Sequence, residues 1–305
     1  MAVIAQVRHG DEATVAPLPR PADRALGLGL IALGAALAVN TVLGPLAADV
    51  VAYPFSESIR NQTMGLEVVS FALVTPLCIA AGILVLQGAT VGAVLAIGPA
   101  TYTAYMMVQY VVGPGYPYYP PVLIFHLALF VLSWLLAVRA WVSFRPGDLP
   151  MMTARSRRRR AVVLSGLAAF VMLRYVPAFI GSVGSEALTD EFAADPAFFW
   201  TILLMDVGIV VPCLVATAVA LRRGAPSATK STYALVCWFA LVPPSVAAMA
   251  VAMVINDDPN ASVASTVLFV AAACVFAVYA VALYRPLLRT GKVVGDAGGP
   301  AGEGG

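Results

Sequence analysis

The sequence predicts an all-α integral membrane protein with eight transmembrane helices, built as two tandem four-helix repeats related by a pseudo-twofold along the membrane normal. Three observations carry that expectation. The 305 residues are 61% hydrophobic and only 11% charged, with a mean hydropathy of +0.89, whereas soluble domains carry about a quarter charged residues. Eight stretches reach the ~20 mostly apolar residues that a membrane span requires. Finally, "PLCIAAGILVLQG" (76–88) aligns without gaps on "PCLVATAVALRRG" (212–224).

Taken in order, residues 1–23 place Arg8, Asp11, Glu12, Arg20 and Asp23 among prolines and are expected to form a cytoplasmic N-terminal arm. The first apolar stretch, 24–46, begins too late and runs too long for a cleaved signal peptide. Spans at 66–86, 89–112 and 121–144 complete a first repeat over 24–144. A basic cytoplasmic linker, 145–160, leads to spans at 161–182, 198–221, 231–255 and 262–284, the second repeat over 161–284. Residues 285–305 end in "GDAGGPAGEGG", a composition that cannot bury a core and reads as a disordered cytoplasmic tail.

Orientation follows from lysine and arginine, which concentrate in cytoplasmic loops. With the N-terminus inside, fifteen of the eighteen basic residues fall in the arm, the linker, the 222–230 loop or the tail. Arg60 alone lies outside, and Arg139 and Arg174 fall within spans. The outer loops instead collect acids: Asp49, Glu57, Glu186, Asp190, Glu191, Asp195, Asp257 and Asp258. Both termini are therefore expected in the cytoplasm. Sixteen arginines against two lysines, with abundant Ala, Val and Gly, fit a GC-rich bacterial genome, so the expected location is the bacterial plasma membrane. The run "MMTARSRRRR" (151–160) sits between two spans and reads as a topology anchor, not a nucleic-acid patch. Its arginines at 155–160 would touch anionic headgroups of the lipid bilayer, a contact worth ~1 kcal/mol per basic residue.

The aligned segments both begin with a mid-span proline, continue with small and aliphatic residues, and close on glycine. Each lies in the second span of its half, and each half has a long acidic first outer loop and a short second cytoplasmic loop. An even number of spans per repeat leaves both copies facing the same way, which is the basis for the expected pseudo-twofold. Pro76 and Pro212 are expected to kink their helices.

Charge is kept out of the apolar runs with few exceptions. "AAFVMLRYVPAF" (168–179) contains Arg174, eight residues from the outer end of its span, and Asp206 is eight residues into the next. At 1.5 Å per residue both lie about 12 Å deep. Either charge alone costs ~2.5–3.5 kcal/mol at mid-span on insertion scales, so an Arg174–Asp206 pair is expected. At similar depth stand Asn40, His126, and Tyr102, Tyr105 and Gln109, the last three spaced to share one helix face. These seven residues are the expected binding set, around a polar cavity in the outer half of the membrane that would take a small-molecule ligand. Glu67, at the outer mouth of the second span, either joins the cavity or faces headgroups. Arg139 is close enough to the inner interface to snorkel. The loop "VVGPGYPYYPP" (111–121) suits a rigid cap at headgroup level.

Several chemistries are excluded. His9 and His126 are the only histidines, and His9 is in the arm, so paired-histidine haem cannot form in the bundle. No lysine falls within the expected spans, which removes a retinal Schiff base. GxxxxGK[ST], HExxH, DxxxD and CxxC patterns are absent. Cys78, Cys213, Cys237 and Cys274 read as buried apolar thiols. No cofactor, metal or nucleic acid is expected, and no catalytic residue is assigned. Three functions fit: a carrier or permease-like protein for a small or lipophilic molecule, a non-catalytic accessory or structural subunit, or an intramembrane enzyme at the outer leaflet using Asp206 or His126.

Overall fold

A computed structural model describes residues 22–296, all-helical with no strand among them. Residues 1–21, with His9 and nearly all of the expected arm, and residues 297–305 of the tail lie outside the described residues. Eight helices are long and apolar enough to cross a membrane, as in a multi-pass membrane protein: α1 (Arg24–Leu43), α2 (Glu57–Leu86), α3 (Thr90–Val112), α4 (Pro121–Val142), α5 (Ala154–Gly184), α6 (Pro196–Arg223), α7 (Ser227–Ile255) and α8 (Val263–Asp296).

Several boundaries differ from the sequence expectation. α2 begins at Glu57, not 66, because "ESIRNQTMG" is helical and buried by protein on nearly every side. A hydropathy window detects lipid-facing helices and passes over a polar one enclosed by its neighbours. α5 begins at Ala154, capped by Thr153, whose side chain accepts from the Ser156 N–H at 3.2 Å. The arginine run thus forms helix, not linker. α7 begins at Ser227, which brings Lys230 inside a helix. α8 continues past residue 284 across Pro286 to Asp296, into the stretch expected as tail.

Contacts between loops define the two ends. At one, the backbone N–H of Ser56 donates to Asp195 at 2.9 Å, Gln62 donates to Glu191 at 2.8 Å, and Asn61 donates to Asp258 at 2.9 Å. Here the loops 44–56, 185–195 and 256–262 meet; this is the acidic end. At the other, Arg139 pairs with Asp23, the N-cap of α1, at 2.9 Å. Lys230 donates to the carbonyls of Trp141 and Phe144 at the end of α4; this is the basic end.

Within the first four helices α1 packs on α2 and α4, α2 on α3, and α3 on α4. Among the last four, α5 packs on α6, α6 on α7, and α7 on α8. Across the halves, α3 lies against the first part of α7 and the start of α6, while residues 57–69 of α2 lie against residues 242–255 of α7. α3 is the central helix, with 78% of its apolar stretch buried against 11% for α8. Close crossings use small residues, the device of helices that gain little from hydrophobic burial in lipid. A Cβ on Gly65 would come within 2.5 Å of the Ala248 backbone, and one on Gly98 would collide with Cys237 Sγ. Cys78 and Cys237 are buried, whereas Cys213 and Cys274, expected as buried thiols, are exposed on the outside of the bundle.

Proline placement sets the breaks. A proline lacks the N–H and collides with the carbonyl four residues back. In α2 the turn before Pro76 widens to a π-turn, Ser70–Val74, and in α6 the turn before Pro212 does the same over Asp206–Val210. The widened bonds run from the N–H of Thr75 to Ser70 and from that of Val211 to Asp206. Both helices end alike: Gly88 (φ 74°) and Gly224 (φ 71°) adopt the left-handed conformation, with N–H bonds from Ala89 to Leu84 and from Ala225 to Ala220. In α5 the helix stops at Arg174 and resumes at Val176 ahead of Pro177; in α7 it breaks at Ala240–Leu241 ahead of Pro243 and Pro244.

Candidate functional site

Five of the seven expected binding residues line one cavity of about 260 Å³ between the halves, near the acidic end: Tyr102, Tyr105, Gln109, Arg174 and Asp206. Their spacing explains the first three, since residues 102, 105 and 109 of α3 fall on the face turned toward α6 and α7. Tyr102 is hydrogen-bonded to Ser245 at 2.5 Å, just beyond the break in α7. One turn nearer the acidic end, Tyr105 donates to Asp206 Oδ1 at 2.8 Å. Gln62 and Glu191 line the wall at the same end, and Leu66, Met106, Val246, Met249 and Phe269 supply apolar surface. A cavity of this size, apolar with a few polar groups, is close to the lower end of ligand sites, roughly 300 Å³.

Arg174 and Asp206 do not form the expected pair. Arg174 lies ten residues before the end of α5 and Asp206 ten residues into α6, so they stand equally far from their helix ends. The break at Tyr175 decides the outcome. With Pro177 unable to continue the ladder, the backbone turns at residue 175, and Tyr175 points inward while Arg174 stays exposed. Tyr175 donates to Asp206 Oδ2 at 2.6 Å, so each carboxylate oxygen is held by a tyrosine hydroxyl. Arg174 makes no hydrogen bond or ion pair among the described residues; its guanidinium stands 5.6 Å from the Tyr175 ring centroid. A second cavity, about 480 Å³, lies between α5, α6 and residues 186–189, and Arg174, Glu191, Phe192 and Ile202 line both spaces. Arg174 therefore stands on the partition between them.

Asn40 and His126 do not line this cavity. They meet inside the first four helices, where His126 Nε2 lies 2.9 Å from Asn40 Oδ1 and 3.4 Å from the hydroxyl of Tyr53. Glu67, whose place the sequence left open, is 1% exposed and faces neither the cavity nor headgroups; it accepts the N–H of Leu46 at 3.1 Å. Arg139, expected to snorkel, pairs with Asp23.

Sequence reasoning missed Tyr175, Gln62, Glu191 and Ser245 at the cavity. Tyr175 was within reach of it: an Arg-Tyr-X-Pro run inside a span announces a break that swaps which neighbour faces in.

No family model, no curated protein and no solved structure matches the chain.

Proposed function

We propose that this chain is a carrier or permease-like protein of the bacterial plasma membrane, with both termini cytoplasmic, handling a small lipophilic molecule that carries a polar group. On this reading the acidic end faces outward, as the arginine distribution favours. The observation that carries it is that Arg174 and Asp206 line the same cavity without neutralising each other. A merely structural charge pair would be in contact. Here one charge is held by two tyrosines and the other is kept free on a cavity wall, where a ligand's polar group would find it.

The same reading takes the two halves as tandem repeats about a pseudo-twofold. The matched π-turns, glycine caps and cap hydrogen bonds, each 136 residues apart, support it. So does the packing: exchanging halves maps the α2–α7 contact onto α6–α3 and returns α3–α7 to itself. Asp206 then occupies the position of Ser70, the first residue of its π-turn. The enzyme alternative is less well supported, because His126 and Asp206 are held in separate sites by different partners.

The test is water access to the cavity wall. Ala250 lines it, so Ala250→Cys, in a background with Cys213 and Cys274 replaced by serine, should react with a charged, membrane-impermeant thiol reagent. Small amphiphiles should slow that reaction, and Arg174→Gln should remove the protection. A folded Ala250→Cys protein whose introduced thiol never reacts would have a dry, packed interface and would be an accessory subunit.

A further inference from the structure

The strongest unexplained feature lies outside the cavity, in the first four helices. Glu67 is 1% exposed and ten residues into α2, about 15 Å along the helix at 1.5 Å per residue. Its Oε2 accepts the Leu46 N–H, and its Oε1 has no partner. The chain packs directly over it: a Cβ on Gly44 would collide with Oε1. Among the described residues no arginine or lysine pairs with it. Arg60, on the same helix, is taken by Asp49 at 2.7 Å.

Glu67 lies among aromatic and polar side chains. Tyr53 and Tyr110 are within electrostatic reach, their rings stacked at 5.1 Å, and His126 stacks on Tyr53 at 5.9 Å and approaches Tyr110 at 5.2 Å. Three further polar atoms here are buried without partners: the Tyr110 hydroxyl, His126 Nδ1 and Thr41 Oγ1. Most buried polar groups have a partner, and both Glu67 Oε1 and the Tyr110 hydroxyl are left without one.

We propose that Glu67 is a proton-binding carboxyl, neutral in this conformation. A carboxylate in such surroundings, supported by one N–H and no cation, is neutralised most cheaply by taking a proton. The titratable groups near it are Asp49 and Tyr53 from the 44–56 loop and Tyr110 from α3; His126 of α4 and Tyr116 of the loop between α3 and α4 lie beside those tyrosines. Residues 242–255 of α7, packed on the other side of α2, contain no titratable group. An alkali cation would need several oxygen ligands at one point; the Glu67 carboxyl offers one free oxygen, the other being taken by the Leu46 N–H. The neighbouring residue, Leu66, lines the cavity, so the proton sits on the far face of a helix that walls it. The proposal goes beyond the carrier reading and does not rest on it.

Infrared difference spectroscopy on the full chain in lipid nanodiscs tests it, using protein labelled with ¹³C-carboxyl glutamate. A protonated-carboxyl band is expected at neutral pH, shifted in D₂O, lost on alkalinisation, absent in Glu67→Gln, and unchanged when sodium replaces choline at fixed pH. Should Glu67→Gln fail to fold, Glu67→Asp, which moves that band out of the glutamate label, serves instead. No band at neutral pH in the wild type would overturn the proposal. A band that responds to sodium at fixed pH would overturn it too, and would identify a cation site.

Discussion

Asp206 on α6 accepts a 2.6 Å hydrogen bond from the hydroxyl of Tyr175 on α5, and with Tyr105 on its other oxygen the carboxylate is held without a cation. The neighbouring Arg174 is left for other uses. A double-mutant cycle separates the two relationships. Tyr175→Phe with Asp206→Asn should show a coupling of about 1.5–3 kcal/mol in thermal or denaturant stability, the range for hydrogen bonds to charged groups. Arg174→Gln with Asp206→Asn should couple more weakly than that, because Arg174 reaches Asp206 only through the Tyr175 ring, 5.6 Å from its guanidinium. A large second coupling would restore the ion pair.

Glu191 sits half-buried at the acidic end, in the loop between α5 and α6, and accepts from Gln62. Burial is the largest influence on it and raises its pKa above the ordinary 4.5; the Gln62 bond and Arg174 oppose the rise, and Asp258 adds to it. The protonated form is therefore favoured in the folded state, and its stabilising contribution is fully present below the ordinary value and lost as pH rises through the raised one. Glu191→Gln mimics that form at every pH. The melting temperatures of wild type and variant should converge at about pH 4 and separate above about pH 4.5, with the wild type the lower. Parallel curves would show that the loop does not sense this proton.

Lys230 is 7% exposed and joins the halves at the basic end, its ammonium on the carbonyls of Trp141 and Phe144 and over both rings at 4.3 and 4.5 Å. Carbonyls at a helix C-terminus lack intrahelical partners and favour a cation. Lys230→Met keeps the stem and removes the charge, and should cost about 1.5–3 kcal/mol, measured as detergent thermal stability. A neutral result would place Lys230 in solvent.

How much of this the sequence carried depends on whether a residue's surroundings are lipid or protein. Spans facing lipid were legible, because hydropathy reads the solvent they meet. The Tyr102, Tyr105 and Gln109 face was legible too, since helical spacing fixes which residues share a side. The polar first third of α2 was not, because Asn61, Gln62 and Thr63 are buried by other helices, and only tertiary packing distinguishes that from a loop. For the same reason His126 and Asn40 were grouped by depth with Asp206, although α3 separates them laterally. The Arg174–Asp206 pairing failed through local geometry: the two stand equally far from the ends of their helices, but a proline-induced break rotates the chain by one residue.

Two glycines test the contact between the halves against an internal control. On α2, Gly65 lies where a Cβ would come within 2.5 Å of the backbone of Ala248 on α7, an atom that cannot swing aside. On α5, Gly166 has nothing within 4 Å of the same position. Gly166→Ala should be neutral or stabilising by up to about 1 kcal/mol, through helix propensity and a less flexible unfolded chain. Gly65→Ala gains the same propensity yet should lose about 1–3 kcal/mol to overpacking. Because residues 57–69 also wall the cavity, Gly65→Ala should in addition increase the reaction rate of Ala250→Cys with the charged thiol reagent. If Gly65→Ala matches Gly166→Ala in both measurements, α2 and α7 are not in contact there, and the cavity between them loses one of its walls.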